Sequence, residues 1–221
     1  MILELREFLN PAEVARLTAL SQEVKFVEGR LSNAANVTKD NLQADHGDPK
    51  YGESVRIVAD AFARSREFCD FAFPKRIAPP LMSRYEPGMK YGAHADAAHI
   101  VLKDATLRSD LSCTVFISDP QSYSGGELVI HAGTRPIVMK GTPGEAIVYP
   151  STYLHEVRPV KSGIRLVSIT FIESLIKDEH KRTQLYELNE VGALEGLKMS
   201  WESRVRFEVV RQNLLRMWSD Q

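Results

Sequence analysis

The sequence predicts an α+β protein that is mainly β, with a jelly-roll core flanked by helices. Two observations favour this fold class. Across residues 77–171, short apolar stretches alternate with Gly, Pro and Asp at intervals of about ten residues, which is typical of sandwiches and barrels. Before and after this region, apolar residues recur at helical intervals instead. A β core between two helical parts follows from this pattern.

The N-terminal part is predicted to contain two helices. The first covers residues 11–21, because Asn10 can cap it, Pro11 suits the first helical position and Glu13 completes a capping box. The second covers residues 54–68, where apolar side chains are spaced three and four residues apart.

A polar segment separates these two helices. Residues 33–52 are rich in Asn, Asp, Gly and Gln, and we expect them to form a long loop. Within it, residues 33–50 are predicted to be a mobile lid or rim of a substrate pocket, because so long a connection usually has a function.

The core is predicted to contain about eight strands. They are expected at residues 79–86, 91–96, 111–118, 127–131, 136–139, 145–149, 154–160 and 164–171. The chain is accordingly divided into an N-terminal helical and loop part (1–76), the core (77–173) and a C-terminal helical extension (174–221).

The C-terminal extension is predicted to end in an amphipathic helix with one apolar stripe. The stripe consists of Phe207, Val210, Leu214, Met217 and Trp218. Large apolar side chains are costly to leave in water, so we expect the stripe to pack on the core or to form a homodimer.

Composition excludes several classes of protein. The 28 basic and 29 acidic residues nearly cancel, which argues against nucleic-acid binding through a basic surface. No apolar run approaches the roughly 18 residues of a membrane span, and acidic residues interrupt the start of the chain where a signal peptide is apolar. Two cysteines cannot form a disulfide framework. We therefore expect a cytoplasmic protein.

One histidine and one aspartate form the first candidate for a metal site. His94 and Asp96 are two residues apart on a predicted strand, so their side chains point to the same face. His46 and Asp48 have the same spacing, but they lie in a turn-like sequence without a strand to orient them. We therefore interpret His94 and Asp96 as the metal pair.

Two later residues extend this site. His155 starts a predicted strand, and two histidines with one carboxylate are the ligand set of non-haem Fe(II) oxygenases. Arg165 shares its strand face with apolar residues, and a buried guanidinium must be paired. Its partner is either a bound organic carboxylate or an internal acid such as Glu127 or Glu145.

Four separated segments resemble the prolyl and lysyl hydroxylases, which are Fe(II)/2-oxoglutarate dioxygenases. They are RYEPGMKYGAHAD (84–96), SGGEL (124–128), GEAIVYP (144–150) and HEVRPVKSGIR (155–165). The whole chain, including NLQ at residues 41–43 and the helical tail, is most similar to the bacterial PKHD-type hydroxylases.

The resemblance implies a double-stranded β-helix core and a set of functional residues. Iron would be held by His94, Asp96 and His155. Arg165 would bind the distal carboxylate of 2-oxoglutarate, and Tyr85 would contact the same cosubstrate. Ascorbate as a reductant is implied by the resemblance alone.

The expected reaction is hydroxylation of an unactivated C–H bond with O₂, giving succinate and CO₂ as coproducts. No catalytic residue beyond the metal ligands is expected, because this chemistry needs no general base. Two alternatives stay open: a cupin-like metal enzyme that is not an oxygenase, and a non-catalytic jelly-roll binding module. The substrate, small-molecule or peptidyl, is not determined by these motifs.

Overall fold

The computed structural model describes residues 1–32 and 38–220, and over these residues it is mainly β with five helices. The helices are α1 (Pro11–Glu23), α2 (Tyr51–Arg64), α3 (Arg66–Ala72), α4 (Glu179–Glu195) and α5 (Trp201–Trp218), with a 3₁₀ turn at Gly29–Ser32. The predicted α+β class is confirmed.

The strands are numbered along the chain. They are β1 (Leu3–Leu5), β2 (Phe26–Glu28), β3 (Lys39–Asp40), β4 (Leu42–Ala44), β5 (Pro74–Ile77), β6 (Leu81–Tyr85), β7 (Lys90–His94), β8 (His99–Val101), β9 (Thr106–Arg108), β10 (Leu111–Phe116), β11 (Ser124–Gly125), β12 (Leu128–His131), β13 (Pro136–Met139), β14 (Ala146–Pro150), β15 (Leu154–Val157), β16 (Val160–Ser162) and β17 (Arg165–Ser174).

Two antiparallel sheets make up most of the molecule. The major sheet has the order β1-β14-β10-β17-β6-β4-β2, with β5 also paired to β17. The minor sheet has the order β13-β12-β15-β7-β3. Two short pairs, β8 with β9 and β11 with β16, lie beside them.

Alternation along the strands of the major sheet creates two separate cores. On one face, residues such as Cys113, Val115 and Leu166 pack with Leu17 and Phe62 of the N-terminal helices. The other face meets the minor sheet. The core between the two sheets contains Tyr85, Phe116, Leu128, Ile130, Ile147, Tyr149, Val157, Val160 and Val167. The second core therefore surrounds the space between the sheets.

Local chemistry explains the helix boundaries. Asn10 caps α1 by accepting a hydrogen bond from the Glu13 amide, and the Glu13 carboxylate accepts one from the Asn10 amide, as predicted. The single helix predicted over residues 54–68 is wrong. Ser65 adopts an extended conformation, so it ends α2 and caps α3 through the Phe68 amide.

The expected long loop at residues 33–52 is also partly wrong. Strand β3 pairs with β7 of the minor sheet, β4 pairs with β2 and β6 of the major sheet, and α2 already starts at Tyr51. Backbone pairing to two sheets overrides the polar composition of this segment. Residues 33–37 of the predicted lid lie outside the described residues.

The C-terminal helices form an antiparallel pair. Phe207 lies beside Gly192 of α4, and Arg211 donates to Asn189, also in α4. The predicted stripe is divided: Phe207, Leu214 and Trp218 are half-buried, whereas Val210 and Met217 are 54% and 74% exposed. Among the described residues, no helix has the length and hydropathy needed to cross a bilayer.

Candidate active site

Two neighbouring strands of the minor sheet carry the candidate metal site. His94 ends β7, and His155 lies on β15, directly opposite His94 in the ladder between these strands. Asp96 follows β7 after one residue, and its amide donates to the Ser151 carbonyl. Chain segments about 60 residues apart in sequence are thus joined by sheet pairing.

The three side chains converge on one point. His94 Nε2 is 3.7 Å from Asp96 Oδ1, and His155 Nε2 is 3.6 Å from Asp96 Oδ2. Within the described part of the chain, they are the one group of three or more His, Cys, Asp or Glu side chains whose ligand atoms all lie within 4.8 Å of one another. The structure therefore brings together the residues that the sequence selected.

Backbone carbonyls orient both imidazoles. His94 Nδ1 lies 2.8 Å from the Gly92 carbonyl oxygen, and His155 Nδ1 lies 2.9 Å from the Tyr153 carbonyl oxygen. A carbonyl can only accept, so each Nδ1 carries the proton and each Nε2 lone pair faces the centre. This is the tautomer that a metal ligand requires.

A chain of serine hydroxyls holds the carboxylate. Ser112 Oγ donates to Asp96 Oδ2 at 2.5 Å, and it lies 2.7 Å from Ser151 Oγ, which in turn accepts from Ser109. Sequence reasoning missed these serines, because nothing in their spacing distinguishes them from other strand serines. They hold Asp96 with Oδ1 near His94 Nε2 and Oδ2 near His155 Nε2.

Aromatic rings close the site. Tyr91 stacks on His94 with ring centroids 3.6 Å apart, and Tyr149 meets the edge of the His155 ring at 5.1 Å. Burial, and next the neighbouring His155, lower the pKa of His94. Burial raises the pKa of Tyr149 well above its usual value. Both shifts favour neutral side chains, and a neutral imidazole is the form that binds metals.

The second His–Asp pair, His46 and Asp48, belongs to no cluster of three metal-ligating side chains among the described residues. Asp48 accepts hydrogen bonds from the backbone amides of Lys25 and Lys50, and exposed His46 stacks on Tyr51. These contacts organise the turn before α2. The choice of His94 over His46 agrees with this geometry.

Arg165 occupies the other end of the space between the sheets. It is 1% exposed and lies opposite Tyr85 in the β6–β17 ladder, with its guanidinium 5.0 Å from the centre of the Tyr85 ring. Tyr123 is a further neighbour, which the sequence did not indicate: burial raises the pKa of Tyr123, and the charge of Arg165 opposes this rise. Burial raises the pKa of Tyr85 to about 12, so the phenol is neutral.

No internal acid neutralises Arg165 among the residues that the structure describes. Neither Glu127 nor Glu145 forms an ion pair with it, and Glu145 instead accepts a hydrogen bond from the Thr142 amide. The Arg165 Nε is buried without a hydrogen-bond partner in the described chain. A buried, unneutralised guanidinium with an open donor is suited to an organic anion.

The metal cluster and Arg165 line the same cleft. It contains about 430 Å³ of space free of protein atoms, part of it open to solvent. Its walls include His94, Asp96 and His155 at one end and Tyr85 and Arg165 at the other. Two imidazoles and one carboxylate leave positions free on an octahedral ion, and the guanidinium of Arg165 lines the same cleft.

Comparisons with known proteins agree with this chemistry. The profile of the 2OG-Fe(II) oxygenase superfamily matches residues 80–173. A PKHD-type hydroxylase of Sphingopyxis alaskensis is 48% identical over 97% of this chain and 98% of its own length. The chain belongs to the PKHD-type hydroxylases. Another PKHD-type hydroxylase, from Thermosynechococcus vestitus, is 37% identical over the full length of both chains.

Solved structures share the fold of this PKHD-type hydroxylase. A Pseudomonas putida prolyl-4-hydroxylase superposes with a TM-score of 0.55 and 17% identity, covering 78% of this chain and 92% of that one. A Trichoplax adhaerens prolyl hydroxylase, solved with a hypoxia inducible factor peptide, superposes with a TM-score of 0.61 and 15% identity. The match covers 83% of this chain and 86% of that one. At these identities the likeness concerns the fold alone.

Family membership makes the protein an Fe(II)/2-oxoglutarate-dependent dioxygenase, with Fe(II) and 2-oxoglutarate as its cofactor and cosubstrate. The donor set fits this assignment: two Nε2 lone pairs and one carboxylate oxygen face a common point. The cupin-like enzyme and the non-catalytic module are therefore set aside. A module without 2-oxoglutarate would have no use for the open donor of Arg165.

Proposed function

We propose that this hydroxylase oxidises an unactivated C–H bond of its substrate, with succinate and CO₂ as coproducts. In this proposal His94, Asp96 and His155 hold Fe(II), and Arg165 binds the distal carboxylate of 2-oxoglutarate. The observation that carries the proposal is the buried Arg165, which has an unpartnered Nε in the same cleft as the three metal-ligating side chains.

The protein supplies orientation and exclusion of water. When bound, Fe(II) with 2-oxoglutarate activates O₂ for hydrogen abstraction from the substrate. Tyr85 flanks the guanidinium of Arg165, and Tyr123 is a further neighbour of its charge. Apolar residues of both sheets, including Leu128 of the minor sheet and Ile169 of the major sheet, line the rest of the cleft and limit the water there.

Tyr85 is proposed as a second contact of the cosubstrate. Its ring centre lies 5.0 Å from the guanidinium of Arg165, and burial keeps its phenol neutral. A neutral phenol carries a proton that it can donate to a carboxylate. The substrate itself is small-molecule or peptidyl, and the prolyl hydroxylase names of the structural relatives describe those proteins.

Several further assignments rest on the sequence and complete the proposal. The core is a double-stranded β-helix over residues 77–173, flanked by the parts at 1–76 and 174–221. Ascorbate maintains the reduced iron, and the protein is cytoplasmic. The two opposed sheets and the unpaired cysteines support the first and the last of these assignments.

We also propose a homodimer through α5. Its face opposite α4 carries Trp201, Val205 and Val209 at intervals of four residues, exposed by 75%, 40% and 54%. Exposed Glu202 and Arg206 flank this row. An antiparallel copy of the same helix brings these opposite charges together while covering the apolar row, so a second copy is the favoured partner.

Spectroscopic titration tests the proposed function. Anaerobic Fe(II)-protein should develop the visible metal-to-ligand charge-transfer band on addition of 2-oxoglutarate, and succinate should form when O₂ is admitted. Extracts incubated with the protein should contain products heavier by one oxygen atom. A protein that binds Fe(II) but gives no charge-transfer band would contradict the proposal.

A further inference from the structure

Three buried residues lie next to the side chain of Arg165 but outside the cleft. They are Tyr123, Gly126 and Val160. Of these three described residues and Arg165, the arginine alone lines the cleft. We call the three residues the back wall, because they meet Arg165 from outside the space that a ligand can enter.

The back wall fits closely around the arginine at Gly126. A Cβ at this position would lie 3.1 Å from Arg165 Cδ and 3.1 Å from Tyr123 Cε2, and it would lie 3.0 Å from Val160 Cγ2. Gly126 has a φ of +68°, a backbone conformation that glycine adopts without a steric cost. The arginine stem and the tyrosine ring therefore border the same small space, which any larger residue at 126 would fill.

Backbone contacts fix the back wall relative to Arg165. Strand β11 pairs with β16, and the amide of Gly126 donates to the Pro159 carbonyl at 3.2 Å. Gly163, two residues before Arg165, approaches so closely that a Cβ there would lie 2.8 Å from Tyr123 Cα. The wall and the arginine are thus held to one short stretch of chain.

Lys140 restrains Tyr123 further. Its ammonium donates to the Tyr123 carbonyl at 2.6 Å and lies 4.0 Å from the centre of the Tyr123 ring. A cation over an aromatic face is attracted to it, so both the backbone and the ring of Tyr123 are held. The ring is therefore a firm surface for its neighbours.

The contact at Cδ decides where the guanidinium of Arg165 lies. Cδ is bonded to Nε, so a displaced Cδ moves the whole charged group. On the cleft side, the Tyr85 ring centre is 5.0 Å from the guanidinium, and Nε has no hydrogen-bond partner in the described chain. A long side chain of this kind has many rotamers unless its surroundings restrict them. The back wall supplies that restriction.

A fixed guanidinium also fixes a distance across the cleft. In the proposed function, one carboxylate of the cosubstrate binds at the metal cluster and the other binds Arg165. A dicarboxylic acid of a different length can satisfy both ends only if one end moves. Binding sites discriminate between homologues when their groups are held in place.

We propose that the back wall determines the length of the 2-oxo acid that this protein accepts. Tyr123 and Gly126 hold Arg165 Cδ, and the protein therefore selects the five-carbon acid over its six-carbon homologue. This inference rests on the proposed function, in which Arg165 binds the distal carboxylate. It makes Tyr123 and Gly126 positioning residues, since they act through Arg165.

Two homologous acids test the inference. Anaerobic Fe(II)-protein is titrated with 2-oxoglutarate and with 2-oxoadipate, which has one more methylene group. Both acids have the carboxylate and keto oxygens that give the charge-transfer band. The wild type should favour 2-oxoglutarate by roughly 10- to 200-fold, the usual effect of one methylene. The measured quantity is the ratio of the two dissociation constants, which a general loss of stability does not change.

A series at Tyr123 varies the volume of the back wall. Y123F keeps the ring and should keep the wild-type ratio. Y123L and Y123A should lower it in that order, because the space left behind Arg165 lets the guanidinium retreat and admit the longer acid. The fall should reach about tenfold in Y123A. If Y123A does not fold, Y123L decides the outcome. Fe(II) affinity should stay constant in the series.

Gly126 has a matched control in Gly133. Both have a positive φ, +68° and +87°, so alanine strains the backbone in the same way at either position. Nothing lies within 4 Å of a Cβ at 133. G126A should weaken 2-oxoglutarate binding by about tenfold or more, because it displaces Arg165 Cδ, whereas G133A should bind it as the wild type does.

Three results would overturn the inference. They are equal affinity of the wild type for both acids, an unchanged ratio in folded Y123L or Y123A, and equal 2-oxoglutarate affinity of G126A and G133A. A wild type without a charge-transfer band, or an Arg165→Ala variant with normal 2-oxoglutarate affinity, would instead refute the proposed function. The two failures are therefore distinguishable.

Discussion

The two ends of the cleft are built in opposite ways. At the metal end, every side chain is already held by the protein: carbonyls orient both imidazoles and Ser112 orients Asp96. At the other end, Arg165 is fully buried, yet its charge has no acidic partner among the described residues and its Nε is open. The protein itself orients one end, whereas the other presents a buried positive charge suited to an anion.

This difference indicates how the two ligands should bind. A preorganised set of donors loses little conformational freedom when the metal enters, so its affinity is set by the ligands themselves. The arginine end carries the cost of a buried charge until a carboxylate arrives, and the cosubstrate removes that cost. Substitutions at the two ends should therefore affect different ligands.

The largest effect is expected at the metal end. Asp96→Ala removes the one anionic protein ligand and should weaken Fe(II) binding by at least about 100-fold, since even residues that only orient ligands contribute 10- to 100-fold. Metal competition titrations measure this. His46→Ala is the control and should bind Fe(II) normally. A loss of iron in the control instead would show that the wrong histidine pair was selected.

Substitution of Arg165 should change the affinity for 2-oxoglutarate. Arg165→Ala removes charge-assisted hydrogen bonds that contribute about 1.5–3 kcal/mol each. The affinity for 2-oxoglutarate should therefore fall by roughly 10- to 100-fold or more. Arg165→Lys keeps the charge but loses the two parallel N–H donors of the guanidinium, so its affinity for 2-oxoglutarate should be intermediate. Titration of anaerobic Fe(II)-protein at the charge-transfer band measures both, and Fe(II) affinity should change little.

The surface residue Arg158 provides a matched control for this experiment. It is exposed, and Arg158→Ala should bind 2-oxoglutarate as the wild type does. Equal affinities for the wild type, Arg165→Ala and Arg165→Lys would mean that Arg165 has a structural role only. Such a result would remove the main support for the proposed cosubstrate site.

A smaller effect should follow from loss of the serine that orients Asp96. Ser112→Ala should lower the affinity for Fe(II) by about tenfold. Binding of 2-oxoglutarate to the Fe(II)-loaded protein should be nearly unchanged. The matched control is Ser168→Ala, a buried serine on the opposite face of the major sheet. If the two variants bind iron equally, the hydrogen bond from Ser112 does not preorganise the metal end.

The smallest effect on the cleft is expected from α5. Val209→Asp places a charge in the exposed apolar row and should convert a dimer into a monomer in sedimentation equilibrium, with both ligand affinities unchanged. Val138→Asp, at a 48% exposed position of β13, is the control. A wild-type protein that sediments as a monomer would refute the dimer.

Sequence reasoning worked where a function depends on neighbours in the chain. His94 and Asp96 are two residues apart, and strand alternation alone puts them on one face. The capping box at Asn10 and Glu13 is equally local, and the structure reproduces it. The strands predicted over residues 79–171 mostly agree with β6, β7, β10, β12, β13, β14, β15 and β17.

Other features depended on distant pairing and could not be read from composition. The segment at residues 39–44 looked like a loop because it is polar, but its backbone completes two sheets. Ser112 and Tyr123 have no distinguishing motif, and they acquire their roles because Asp96 and Arg165 arrive beside them. The division of the C-terminal stripe likewise follows from where α4 lies.

The sequence by itself determined which side chains are available for the site, namely two histidines, one aspartate and an arginine on an apolar strand face. It also determined the strand alternation that sets the face on which each one lies. Local spacing is sufficient for this because dihedral preferences act over a few residues. Only the tertiary structure decided that His155 lies opposite His94 and that, among the described residues, Arg165 Nε is buried without a hydrogen-bond partner. These facts depend on which strands pair across the sheets, and that choice is made by the packing of the whole core.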